Sequence, residues 1–112
     1  MVTSILAILL ALRGLGISVE LTSMSVSGYW NGSGASPFLG EMASGEYTRP
    51  GGAACGPTLF AQRAVLYVEG VGFVQCLDTG GEITEGHLDI WQPTEAEAWA
   101  VERHNLPVVV VR

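Results

Sequence analysis

The chain has 112 residues and a net charge of −6; 48% of its residues are hydrophobic, only 14% are charged, and all five basic residues are arginine. That length carries one compact core, and that apolar content argues against intrinsic disorder. The acidic balance leaves no electrostatic footprint for nucleic acid and no polybasic patch for lipid, and without lysine there is no P-loop, Schiff-base enzyme or Ser–Lys dyad.

Residues 5–12 are an unbroken apolar run that Arg13 ends. The run is far short of the roughly 20 residues that span a bilayer, so no stable membrane span is expected. It has the length of a signal-peptide h-region, although no basic residue precedes it and no Ala-x-Ala follows. Residues 1–18 therefore read as a signal peptide or an apolar N-terminal segment, the alternative being a first buried strand or helix. Residues 19–112 read as the folded domain.

Residues 21–29, rich in Ser, Thr and Val, read as a strand. Residues 30–52 are glycine-rich with Pro37 and Pro50 and read as a long loop. Short strands are expected at 52–55, 65–69 and 73–77, the last two joined by a turn at Gly70-Val71-Gly72. A second turn is expected at Asp78-Thr79-Gly80-Gly81, then strands at 87–91 and 107–111. One helix stands out. Thr94 is its N-cap and Glu97 its N3 residue, a capping box. Ala96, Trp99 and Ala100 share one face, and Asn105 and Pro107 close it. That places His104 in the last turn, where it complements the helix dipole. Six short strands and one short helix predict an all-β fold, a small barrel.

Cys55 and Cys76 fit no zinc spacing, and neither do His87 and His104, so no metal or other cofactor is expected. The two cysteines are a disulfide if the protein is exported and buried free thiols if it is not.

The segment His87-Leu88-Asp89-Ile90-Trp91 carries the most chemistry. Alternation puts Leu88 and Ile90 on one face and His87, Asp89 and Trp91 on the other. The second face is either a solvated exterior or a groove floor, with Trp91 as a flat surface for a sugar ring and Asp89 as an acid. Asp78 is either an Asx-turn residue or a second carboxylate for acid/base work on a glycosidic bond. Tyr29-Trp30 is a ligand platform or packing. Ser44-Gly45 lacks the frame of a nucleophile elbow, and Gly70-Val71-Gly72 is no dinucleotide fingerprint.

Residues 75–91, Gln-Cys-Leu-Asp-Thr-Gly-Gly-Glu-Ile-Thr-Glu-Gly-His-Leu-Asp-Ile-Trp, resemble the core of the 3D domain family, named for three aspartates. The same core is similar to that of the membrane-bound lytic transglycosylase A family. Ser27-Gly28-Tyr29, Ala43-Ser44-Gly45, the stretch 67–72 and the stretch from Glu95 to the final valines resemble further family segments, so the likeness covers roughly residues 22–112. It implies a six-stranded double-psi β-barrel and cleavage of peptidoglycan at the MurNAc–GlcNAc linkage to a 1,6-anhydro product. By the same likeness Asp89 is the principal catalytic acid and Asp78 its partner. Tyr29, Ser44, Thr79, Gly80, Gly81, His87 and Trp91 then border the substrate, with Glu41, Glu46 and Glu82 as the next acids. Two departures stand out. Ala53-Ala54 is followed by Cys55 and Gly56 where the family has its first aspartate, and Arg63-Ala64 replaces Gly-Thr. Cys55 falls on the missing aspartate and Cys76 two residues before the second, so if the family's strands pair here, a disulfide joins them. The implied location is secreted or cell-wall associated, bacterial or phage-encoded. The rival reading is a glycan-binding module without turnover, like expansin and barwin-like domains.

Overall fold

Strong β formers alternate with tight glycine turns over most of the chain, and the strands that result close on themselves. The computed structural model describes residues 4–31 and 40–112. Strands β1 (Val19–Tyr29), β2 (Gly52–Cys55), β3 (Val65–Val68), β4 (Gly72–Asp78), β5 (His87–Trp91) and β6 (His104–Val111) form a closed barrel in the order β1-β5-β2-β4-β3-β6. Closure removes the unpaired edges that an open sheet of this size would expose. Two ladders are parallel, β1·β5 and β2·β4. Parallel neighbours cannot be joined by a hairpin, so the chain crosses over between them. Among the described residues β3 and β4 form a tight hairpin, and Gly70 (φ 78°) and Gly72 (φ 112°) supply the positive φ that its turn needs.

The barrel interior is filled by the inward half of each strand, including Val26, Ala53, Leu66, Val68, Val74, Leu88, Ile90, Val108 and Val110. Leu88 and Ile90 are buried, as strand alternation predicts. Cys55 and Cys76 lie in the same core and are bonded, with Cα atoms 5.6 Å apart. The reading of two free thiols is therefore set aside. The bridge ties β2 to its parallel neighbour β4.

Three helices, not one, accompany the barrel among the described residues. The apolar run near the N-terminus forms α1 (Ile5–Gly14), capped by Ser4, whose Oγ accepts from the Ala7 N–H. Val109 and Tyr67 point away from the barrel interior yet are buried, because Leu9 of α1 packs on them. The segment with h-region length thus covers the outer face of β3 and β6. Helix α2 (Pro57–Ala61) starts with Pro57 at its N-terminus. It ends before Arg63, whose φ of 50° is a left-handed conformation. This is where the resembled family has glycine. The Arg63 guanidinium donates to the Phe60 carbonyl and lies 4.2 Å from the Phe60 ring centre, which offsets part of that backbone cost.

Helix α3 (Glu95–Ala100) has the expected cap, with the Thr94 Oγ accepting from the Glu97 N–H. It is shorter than its sequence pattern suggests, and its buried residue is Ala98 rather than Ala96, Trp99 or Ala100. The reason is tertiary. His104 already belongs to β6, paired with Val26 of β1, so the chain must leave the helix at Val101. His104 is consequently not in a helical turn; its ring contacts the Glu102 carbonyl. Ala98 is buried because α3 presses on β1 at Gly28, where an added Cβ would lie 2.7 Å from the Ala98 carbonyl oxygen. No helix among the described residues is long and apolar enough to cross a membrane.

Candidate active site

Strand register builds the site. Ala54 of β2 is opposite Asp78 on β4 and also opposite Asp89 on β5. Residues directly opposite one another share a face, so the two acids flank Ala54 on the outer side of the barrel wall, with backbones about 10 Å apart. A bulge in β2·β4 sets this row. The partner of Ala53 is Cys76 and that of Ala54 is Asp78, so Leu77 is skipped. Cys76 therefore points into the core while Asp78 joins Ala54 on the outer side. On the other flank, β1 runs parallel to β5 and brings Ser25, Ser27 and Tyr29 opposite His87, Asp89 and Trp91.

Asp78 is held by three donors. Its Oδ2 accepts from the Tyr29 hydroxyl at 2.9 Å, and its Oδ1 accepts from the Ala43 and Thr79 N–H groups, each at 2.9 Å. The Thr79 contact is local but reaches the next residue rather than the one two positions on, so it is not the bond of an Asx-turn. The other two reach across the molecule and fasten β1 and the 41–48 loop to β4. Both carboxylate oxygens are occupied, so Asp78 acts as an anchor. The Tyr29 phenol is pushed far above its usual range by burial first, then by the neighbouring charge of Asp78. It stays a neutral donor.

Asp89 is different. It is half-buried, and its Oδ1 accepts one hydrogen bond, from the Ser27 hydroxyl at 2.9 Å. Burial raises its pKa above the ordinary carboxyl value, and the charge of Asp78 adds to that; Ser27, His87 and Arg103 pull the other way. The balance is upward, which suits a group that must hold a proton and give it away. Behind Asp89 runs a chain of donors. Ser27 donates to Asp89, so its oxygen accepts from His87 Nε2, 3.0 Å away. Arg103 donates to the Ser25 hydroxyl at 3.2 Å and sets its Nη2 3.4 Å from the His87 ring nitrogens. Arg103, His87 and Ser27 thus converge on one carboxylate.

The remaining predicted residues divide. Thr79 adjoins the site, but its hydroxyl donates to the Cys55 carbonyl and fixes the turn. Ser44 anchors the facing loop: its N–H donates to the Leu77 carbonyl and its Oγ accepts from the Glu46 N–H. Gly80 and Gly81 are exposed in the segment that follows β4. Trp91 is not the accessible platform expected of it. It is 2% exposed and its indole N–H donates to Asn31 Oδ1, so it packs as a wall rather than offering a face to a sugar. Among the reserve acids, Glu46 is paired with Arg49, and Glu41 is exposed, its backbone forming an antiparallel β-bridge with that of Tyr47. Ser27 and Arg103 escaped the sequence reading. Ser27 shares the alternating face of Tyr29, but only the parallel pairing with β5 gives it a partner.

Compared with protein-family models, with curated proteins and with solved structures, the chain matches none. The geometry of the site therefore carries the functional reading, beside the resemblance of residues 75–91.

Proposed function

We propose that the chain is a peptidoglycan-cleaving lytic transglycosylase acting on MurNAc–GlcNAc linkages. The observation that carries this reading is the pair Asp78–Asp89: two carboxylates on one row of the barrel wall, one saturated with donors, the other half-buried with a raised pKa. Opposed environments of this kind divide the roles of two acids. Asp89 gives its proton to the glycosidic oxygen as the bond from that oxygen to C1 of MurNAc breaks. The MurNAc C6 hydroxyl then attacks C1 and returns its proton to Asp89, so no water is consumed and an anhydro ring closes. The charge of Asp78 opposite adds to the upward shift of Asp89 and steadies the positive charge that develops at C1. Ser27 holds Asp89 in place, and His87 and Arg103 hold Ser27 and one another behind it. A second reading, a glycan-binding module without turnover, draws on the methyl group of Ala54 between the two acids and the absence of a third carboxylate from 53–56. Export to the cell wall fits the buried disulfide, which persists in oxidising compartments.

The test compares wild type with Asp89→Asn on purified peptidoglycan. The enzyme reading expects soluble fragments from the wild type and none from the variant. Binding of peptidoglycan by the wild type without release would favour the module instead.

A further inference from the structure

A cavity of about 350 Å³ opens between β1 and α3, and its lining includes Ser27, Trp99, Glu102 and Arg103. Two of its lining residues link it to the carboxylate site: Ser27 donates to Asp89 and Arg103 contacts His87. Trp99 is 70% exposed, whereas Trp91 is 2% exposed. The Trp99 ring is not loose: its N–H donates to Glu95 Oε1, one turn back, at 3.3 Å. Gly28 lets α3 approach β1 closely, and both Gly28 and Trp99 line the cavity between them. A large aromatic face held in place at the edge of a cavity suits a ligand with an apolar face of its own. The charges beside it are one acid and one base, Glu102 and Arg103, so a net charge on the ligand is not required. A carboxylate acceptor and a guanidinium fork together match the hydroxyl and amide groups of a neutral sugar.

We infer that Trp99, Glu102 and Arg103 form a subsite for one N-acetylated pyranose of a glycan strand, with the sugar's C–H face stacked on the Trp99 indole. This rests on the glycan reading of the Asp78–Asp89 pair and assigns its stacking surface to α3 rather than to β5.

The test titrates the full chain with chitotetraose by calorimetry and sediments it with insoluble peptidoglycan in parallel. Trp99→Ala is expected to weaken chitotetraose binding by roughly tenfold or more, the scale of losing a central aromatic contact, while Trp99→Phe keeps most of it. Far-UV circular dichroism of both variants should match the wild type, because the side chain is exposed. Unchanged affinity in Trp99→Ala would overturn the subsite and leave the glycan reading standing. So would a wild type that sediments with peptidoglycan but ignores chitotetraose. A wild type that binds neither would overturn both.

Discussion

Two aspartates on one face of a barrel acquire different properties from their neighbours alone. Asp78 takes three hydrogen bonds and Asp89 one. The difference has a measurable sign. A carboxyl whose pKa is raised in the fold binds its proton more tightly there than in the unfolded chain. Its contribution to stability is therefore fully present below the ordinary carboxyl pKa and is lost as pH rises through the raised value of Asp89. Asp89→Asn removes that titration while keeping an oxygen to accept from Ser27. The variant should accordingly be as stable as the wild type or more so at neutral pH, with a flatter dependence of stability on pH, as chemical denaturation across a pH series would read. Release of peptidoglycan should be lost, since an amide delivers no proton; a loss of about 10²-fold or more is the scale for a general acid. In the wild type, activity should fall as pH rises past the raised pKa of Asp89. A variant that loses stability at neutral pH and shows the wild-type pH dependence would contradict the assignment.

At the scale of single elements, Gly28 shows how one missing side chain positions the site. It faces α3 so closely that a methyl group would meet the Ala98 carbonyl at 2.7 Å and the Val101 side chain at 3.0 Å. Gly28→Ala should push α3 off β1 and cost about 1–3 kcal/mol, the range for overpacking, read as a lowered thermal midpoint. Release should fall as well, because Arg103 follows α3 and anchors His87. The elements themselves were mostly legible in the sequence. The strand expected at 87–91 is β5, the hairpin turn at Gly70-Val71-Gly72 joins β3 to β4, and Thr94 caps α3. What was not legible depends on pairing. Helical periodicity put Trp99 on the packed face, but β6 claims the chain from His104 and rotates the burden onto Ala98. Alternation put Asp89 and Trp91 on one face correctly, yet could not tell that Asn31 would close over the Trp91 indole. Nor does any local pattern announce that β1 runs parallel to β5, which is what brings Ser27 to Asp89.

The molecule as a whole is a small closed barrel reinforced from inside and outside. Inside, the Cys55–Cys76 bond links residues separated by 21 in sequence, within the strands that hold Asp78 and face Asp89. Constraining a loop of that length in the unfolded chain is worth about 3 kcal/mol. Replacing both cysteines by alanine should lower stability by about that amount and widen the motion of β2 against β4, with a drop in release larger than the stability loss alone explains. A double variant as stable as the wild type would show that the core, not the bond, holds these strands together. Outside, α1 covers Tyr67 and Val109 of β3 and β6, away from the strands that carry the two aspartates.

The central claim is that the Asp78–Asp89 site cleaves a glycan with the substrate's own hydroxyl as nucleophile. It is tested most directly by mass spectrometry of the fragments that the wild-type chain releases from purified peptidoglycan. The account predicts fragments ending in 1,6-anhydro-MurNAc, one water lighter than hydrolysis products. Fragments with ordinary reducing ends, or no fragments at all, would contradict it.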